Sequence, residues 1–485
     1  MVVVYNTLTK RKEEFRTREP GRVQMYVCGP TTYNYIHLGN ARALVVFDTI
    51  RRYLEYRGFK VFFVQNFTDV DDKIINRAAE EGMSPQALAA KYVAAYFEDA
   101  DRLNVRRADV HPKVSEHIPE IIALISTLLE KGFAYVADGD VYFAVRRFPG
   151  YGKLSGRQLD DLLAGARVEP GVHKRDPLDF ALWKAAKPGE PAWPSPWGEG
   201  RPGWHIECSA MALKYLGVGF DIHGGGADLI FPHHENEIAQ SEAATGASFA
   251  RYWLHNGFIT VRQEKMSKSI GNVFLVREVL EKYPGPAVRL FLVGTHYRSP
   301  LDYAPEYLET AVRSAERLET CFRLLVEAQA KAGSGRMKDE GGRMDDSSAV
   351  ADRLYALEAE FRAAMDDDFN TARALAVYFD LVREINTLVH TTPLLPERVL
   401  QRAQELFCIF NRVLGIFPEA EGKPVFGKGG KDDDLTGRLV KLLIAVRQEA
   451  RQKKDWATAD RIREGLKEIG IILEDTPEGV RWKQV

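Results

Sequence analysis

The stretch FPHHENEIAQ, residues 231–240, sets two histidines and two acids within ten residues, directly after the glycine run of HGGGAD (223–228). Side chains of these types serve acid–base chemistry or metal ligation, or they decorate a solvated helix face. Pro232 suits the first turn of a helix running to about Ala244, with Gly246 as its stop. On that helix His233 and Glu237 stand four apart and share a face, whereas His234 lies on the core-directed row of Ile238 and Glu235 on that of Ala239 and Ala243. Two distant thiols could complete the set: Cys28, closing the strand-like RVQMYVC, and Cys208, in the helical GWHIECSAMALKYLG. Two thiolates, one imidazole and one carboxylate are borderline-soft donors that suit Zn²⁺ better than Mg²⁺ or Ca²⁺. Taken singly, Cys208 reads more often as a buried structural thiol, and His233 with Glu237 more often as a solvated pair. Four protein ligands also ordinarily mean a closed, structural zinc site.

Two more segments suit phosphate. IHLGN (36–40) follows a strand and opens a helix, where backbone N–H groups and the helix dipole attract anions. Gly39 lets a ligand approach the backbone, and His37 either donates to a phosphate or caps the helix. KMSKS (265–269) puts two lysines and two hydroxyls on one polar loop, fit to grip a polyphosphate or to be solvated. The acids of TDVDDK (Asp69, Asp71, Asp72) read instead as caps and salt-bridge partners.

These residues need a scaffold, and the surrounding pattern describes one. RVQMYV alternates like a strand, Ala41 to Arg57 carries helical apolar spacing, and KVFFVQNF reads as a buried strand. Such a βαβ unit builds an open parallel sheet whose ligands sit at the strand C-terminal ends. The expected fold is α/β: a Rossmann-type parallel-sheet domain in two halves, 1–132 and 203–255, split by a Trp-, Pro- and Gly-rich insertion at 133–202. A segment bearing KMSKS follows at 256–303, then an α-helical bundle at 304–417 and a small C-terminal α+β module at 435–485. Residues 330–348 and 421–434 have linker composition. At 485 residues the chain exceeds one domain, and 45% apolar with 28% charged residues is ordinary for a folded protein. No apolar run approaches a membrane span and the N-terminus lacks a signal-peptide layout, so a cytoplasmic location is expected. Four scattered cysteines argue against a disulfide framework. A net charge of −2 means that any nucleic acid must be held by local basic patches.

Taken together, MYVCGPTTYNYIHLGNAR, NFTDVDDKI, GRPGWHIECSAM, FDIHGGGADLIFPHHENEIAQ and EKMSKSIGN resemble the cysteinyl-tRNA synthetases, a class I aminoacyl-tRNA synthetase family. The resemblance extends through the terminal DWATADRIREGLKEIGIILEDTPEGVRW. It departs at Asn40, where class I enzymes generally carry a second histidine, which predicts a changed contact rather than a lost function. The resemblance implies activation of L-cysteine with ATP and Mg²⁺, then transfer to tRNA(Cys). It also implies one Zn²⁺ in the amino-acid pocket on Cys28, Cys208, His233 and Glu237, recognising the substrate thiolate. A pocket that only measured size would separate cysteine from serine by about 1–3 kcal/mol, so direct coordination makes an editing domain unnecessary.

By the same resemblance, His37, Asn40, Lys265 and Lys268 are the catalytic set. ATP contacts are Pro30, His37, Gly39, Asn40, Gly224, Gly225, Gly226, Asp228, Lys265, Met266, Ser267, Lys268 and Ser269. Cys28, Gly29, Thr68 and Trp204 surround the substrate cysteine. The bundle and the C-terminal module contact tRNA, the latter at the anticodon. Arg447, Arg451 and Lys454 at i, i+4 and i+7 form a basic stripe there, and Trp456 and Trp482 offer faces for stacking. No obligate protein partner is expected. Two rivals remain at this level: a ligase joining cysteine to an amino-sugar on the same adenylating core, and a non-catalytic zinc protein that binds RNA. The long terminal part disfavours the first, and the intact KMSKS disfavours the second.

Overall fold

The structure is a computed structural model that describes residues 1–159, 173–261, 264–265, 273–333, 344–391, 396–426, 431–476 and 479–484. Met1–Phe417 and Pro418–Val485 form two compact units.

The centre of the first unit is a four-stranded parallel sheet. Its order is Ala250–Asn256, Phe220–Gly226, Arg22–Val27 and Lys60–Gln65. Strands covered on both faces need near-continuous apolar sequence, and Val23, Met25, Tyr26 and Val27 are fully buried. The helix Leu38–Tyr56 crosses from Arg22–Val27 to Lys60–Gln65, the right-handed unit expected of such a sheet. The chain leaves the sheet there and returns at Phe220, so Arg22–Val27 and Phe220–Gly226 become neighbours from separate halves. Ligands of open α/β sheets bind at such a junction, beyond the strand ends.

Between the halves lies a four-stranded antiparallel sheet, Ala134–Ala137, Asp140–Phe143, Phe180–Ala185 and Gly200–Pro202. After Asn256 a small sheet pairs Ile259–Val261 antiparallel with Glu264–Lys265 and parallel with Leu301–Tyr303. Four long helices follow, Pro305–Gly333, Met344–Asp366, Thr371–Thr391 and Glu397–Leu414. Of the first expected linker, residues 330–333 end the helix Pro305–Gly333 and 344–348 begin the helix Met344–Asp366.

The second unit holds two helices, Lys431–Gln452 and Trp456–Glu468, and the hairpin Ile471–Thr476 with Gly479–Gln484. Its core is Val440, Leu466, Ile471 and Leu473, with Trp482 packed against them. Residues 431–434, expected in the second linker, belong to the first of these helices. Among the described residues no helix is long and apolar enough to cross a membrane.

An N-terminal hairpin, Val3–Asn6 with Arg11–Glu14, was not legible in the sequence. The expected helix start at Pro232 is also corrected. Pro232 lies in a wide turn, Ile230–His234, joined to Phe231 by a cis peptide bond, and the α-helix runs Glu235–Thr245 with Gly246 as its left-handed stop. Phe231 has extended dihedrals (φ −140°, ψ 132°), so the helix cannot continue back through it.

Candidate functional site

Cys28 immediately follows a central strand, where its N–H donates to the Gly224 carbonyl at 3.2 Å. Gly29 comes next, and only glycine fits there: a Cβ would stand 1.6 Å from the Asn66 carbonyl oxygen. Cys208 arrives on the helix Trp204–Leu216, while the turn and helix at 230–245 bring His233 and Glu237. The two sulfurs are 3.7 Å apart, Cys28 Sγ is 3.4 Å from Glu237 Oε1, and that oxygen is 3.1 Å from His233 Nε2. All four donor atoms lie within 4.8 Å of one another.

Tetrahedral zinc with bonds of about 2.0–2.3 Å has ligand-to-ligand edges of roughly 3.3–3.8 Å, so the donors fit in type and in spacing. The electrostatics favour a cation as well. Burial pushes the Cys28 thiol up, and neighbouring Cys208 and Glu237 push it further. Its hydrogen bond to Cys28 pulls the Cys208 thiol down, but burial together with Glu237 and Glu207 outweighs this and leaves it raised. A divalent ion among these groups reverses that balance. Burial, and then His205 and His223, hold His233 well below the usual imidazole range, so it is neutral and able to ligate.

The donors have their own supports, which sequence reasoning missed. His205 Nδ1 meets His233 Nδ1 at 2.9 Å, leaving His233 Nε2 for the centre. His223 Nε2 holds the outer carboxylate oxygen of Glu237 at 2.8 Å and stacks on Trp253, centroids 4.4 Å apart. His234 Nδ1 meets His255 Nε2 at 2.8 Å, and His255 Nδ1 meets the Thr7 hydroxyl at 2.8 Å, so the N-terminal hairpin reaches this layer. The available signal was density: five of the eleven histidines fall between 205 and 255. His223 and His234 could also form a second donor group with Cys28 and Glu237. It contains one sulfur instead of two, and one nitrogen of each histidine is already engaged. Second-layer histidines typically tune metal affinity by about 10–100-fold. His223→Asn is expected to weaken zinc retention within that range with the fold intact, read by competition with a chromophoric chelator.

The thiols open onto a cavity of about 360 Å³. Its lining includes Gly29, Pro30, His37, Gly39, Asn40, Thr68, Trp204, Gly226 and Asp228. Trp204 is 40% exposed and stacks on His233 at 4.4 Å, placing it on the rim of the cavity and not in the core. Thr68 donates its hydroxyl to the buried carboxyl of Glu207 at 3.0 Å, which sequence reading did not single out.

At the helix start, Asn40 N–H donates to His37 Nδ1 (3.3 Å), and His37 N–H donates to Asn40 Oδ1 (3.1 Å). This reciprocal cap gives Asn40 its acceptor role and keeps the helix end ordered. Leu38 N–H donates to the Phe274 carbonyl, which leaves Gly39 N–H without a partner among the described residues. A helix-start N–H of this kind is the element that meets anions.

Other expectations are narrowed. Gly224 and Gly225 were expected at the nucleotide, yet both are buried in the strand Phe220–Gly226. A Cβ at Gly224 would meet the Phe47 ring at 2.3 Å and one at Gly225 would meet His234 at 2.9 Å, so their smallness serves packing. Lys265 pairs with Thr260 through its backbone. Met266, Ser267, Lys268 and Ser269 lie outside the described residues. The TDVDDK acids are structural, as expected: Asp71 caps a helix, Asp69 accepts from Ser115, and Asp72 pairs with Lys184 and Arg201.

The basic stripe is also corrected. Arg447 is 3% exposed and donates to both carboxylate oxygens of Asp475 at 2.8 Å, an ion pair within its own unit. That bond holds the Asp475 carboxyl down at about 2. Arg451 reaches Asp475 at 3.2 Å, and Lys454 follows the helix end at Gln452 with a left-handed φ of 61°, off the helical row. Trp456 is 57% exposed, whereas Trp482 lies against the small core.

Comparison with known proteins gives a consistent pattern. Residues 14–313 match the family model of the class I (C) tRNA synthetase catalytic domain, 360–418 that of the DALR domain, and 432–482 that of the cysteinyl-tRNA ligase anticodon binding domain. The chain is 68% identical over 481 residues to the cysteine–tRNA ligase of Desulforudis audaxviator, with 99% of each chain covered. It is 64% identical over 488 residues to that of Pelotomaculum thermopropionicum, again with 99% of each covered. The solved methionyl-tRNA synthetase of Mycobacterium tuberculosis with methionyl-adenylate aligns at a TM-score of 0.60 and 16% identity. That alignment covers 81% of this chain and 90% of the other, a likeness of fold.

Proposed function

The chain belongs to the cysteine–tRNA ligases, class I aminoacyl-tRNA synthetases, and from that premise we propose how its residues divide the work. The enzyme activates L-cysteine with ATP to cysteinyl-adenylate and pyrophosphate, then transfers cysteine to the 3′ end of tRNA(Cys). Neither step needs a protein nucleophile, so positioning and charge neutralisation carry the rate.

Cys28, Cys208, His233 and Glu237 would hold one zinc ion, whose Lewis acidity would favour a substrate thiolate over a serine hydroxyl, a discrimination that pocket size alone cannot supply. Trp204 on the rim covers the amino acid. Thr68, its proton committed to Glu207, turns oxygen lone pairs towards the substrate ammonium. Gly39 N–H and His37 receive the α-phosphate, Asp228 the ribose hydroxyls, and Gly226 and Pro30 the flanks of the nucleotide. Lys265 and Lys268, with Met266, Ser267 and Ser269 on the same loop, neutralise the departing pyrophosphate together with Mg²⁺. The helical bundle and the terminal unit hold tRNA, with Arg451, Lys454 and the exposed Trp456 as the RNA-facing groups, and the enzyme works in the cytoplasm.

The observation that supports this reading is the convergence of the four soft-to-borderline donors on the cavity that the capped helix start also lines. The test is charging of total tRNA by the purified protein with ATP and Mg²⁺. Cysteine is expected to charge and serine not. Cysteinyl-adenylate without charging would favour an amino-sugar ligase, and equal use of serine would remove the metal-based selection.

A further inference from the structure

Among the described residues of the first unit, two arginines are completely buried. Arg289 meets the Asp48 carboxylate, which neutralises it in the ordinary way. Arg42, two residues beyond Asn40, forms no ion pair among the described residues. It spends its guanidinium on four backbone carbonyls: Nη1 donates to Gly257 (3.1 Å) and Phe258 (2.8 Å), and Nη2 donates to His296 (3.3 Å) and Ser299 (2.5 Å). Its Nε has no partner among the described residues. A charge taken out of water and met only by carbonyl dipoles costs stability that an apolar residue there would not.

What those carbonyls belong to suggests the compensation. Gly257 and Phe258 lead directly into the strand Ile259–Val261, from which the chain enters KMSKS. His296 and Ser299 precede Leu301–Tyr303, the parallel partner of that strand. Arg42 therefore holds the start of both strands against the helix whose first turn carries His37, Gly39 and Asn40. The junction has no slack: Gly257 N–H donates to the Tyr297 carbonyl at 2.8 Å, and a Cβ on Gly257 would meet the carbonyl oxygens of Ser299 at 2.5 Å and Arg298 at 2.7 Å. The flank after KMSKS is tied to the same place by main chain, with Leu38 N–H donating to Phe274 (3.0 Å) and Val276 N–H to Ile36 (2.9 Å). Both flanks thus rest on the helix start, one through backbone bonds and the other through Arg42.

We propose that Arg42 is a positioning residue for adenylate formation, setting the flank that leads into Lys265 and Lys268 relative to the helix start that receives the α-phosphate. This rests on the reading of those lysines as pyrophosphate-binding groups. The two terminal guanidinium nitrogens carry four N–H donors for these four acceptors, whereas a lysine ammonium carries three.

The experiment compares Arg42→Lys, Gly257→Ala and Lys268→Ala with the parent enzyme. It measures ATP–pyrophosphate exchange, single-turnover transfer from preformed adenylate to tRNA, zinc content and thermal midpoint. A misplacement of about 1 Å at reacting groups costs on the order of 100-fold. Arg42→Lys is expected to raise the KM for ATP and lower exchange by about 10–100-fold, with zinc content, the KM for cysteine and the transfer rate within about threefold of the parent. Gly257→Ala strains the same junction from its other side and is expected to give the same split, so it carries the test if Arg42→Lys folds poorly. Exchange and transfer falling together in both variants, in step with lost folded protein, would make Arg42 merely structural. Unchanged exchange in a folded Arg42→Lys would overturn the proposal outright. Lys268→Ala separates this from its premise: if exchange survives that change, the lysine reading itself fails.

Discussion

Replacing Cys208 with alanine is expected to remove the proposed zinc and cysteine activation together. Zinc content should fall from one per chain towards zero, and cysteine-dependent ATP–pyrophosphate exchange by about 1,000-fold or more. Structural zinc in small sites is bound with about 10–16 kcal/mol, several kcal/mol per ligand, and each 1.4 kcal/mol is a decade. Loss of one sulfur from the 3.7 Å pair also leaves Cys28 as a buried, protonated thiol donating to Glu237, a poor metal ligand. The helix Trp204–Leu216 should survive, because alanine is the better helix former and the thiol is small. Metal analysis, far-ultraviolet dichroism and exchange on one preparation separate loss of metal from loss of fold. A Cys208→Ala protein that kept both zinc and activity would transfer the site to the group of Cys28, His223, His234 and Glu237.

The second large effect comes from ending the chain at Phe417. The remaining 1–417 is a compact unit that contains all four donors and the capped helix start. Exchange is therefore expected to stay within about threefold of the parent. Charging of tRNA(Cys) should lose a factor on the order of 100 or more in kcat/KM, since each base stacked on an aromatic side chain is worth about 1–3 kcal/mol and phosphate contacts add to this. The loss should shrink as tRNA is raised to saturation, because the removed interactions bind and do not react. Equal loss of exchange and charging would mean that the terminal unit supports the catalytic one, contrary to the separate anticodon-binding role proposed for it.

How far the sequence could be read depended on the range over which each feature is encoded. The βαβ core was legible because burial on both faces writes continuous apolar strands, and because a crossover helix carries its own period. His233 and Glu237 were legible as a pair from their four-residue spacing, although His233 lies in the wide turn ahead of the helix; the structure still brings their atoms to 3.1 Å. The two cysteines are 180 residues apart, and no local pattern joins them; only the likeness to a known family placed them together. His205, His223 and His255 sit singly on a helix and two strands, so nothing nearby in the chain marks them as one layer. Arg447 was misread for a related reason. A helical row shows which side chains share a face, but not that Asp475, 28 residues on, waits opposite. Arg42 likewise meets carbonyls 215 to 257 residues away.

Those separations have a consequence for the making of the protein. A ribosome adds about 5–20 residues per second, so Cys28 precedes Glu237, 209 residues later, by about 10–40 s. During that interval its thiol is in the cell without the groups that will share its metal, open to oxidants and to stray thiophilic ions. The site cannot be assembled in stages either, because Cys208 and His233 belong to the same late segment as Glu237. For the proposed zinc, loading then falls at the end of synthesis of the sheet domain, and zinc starvation is expected to show first in newly made chains.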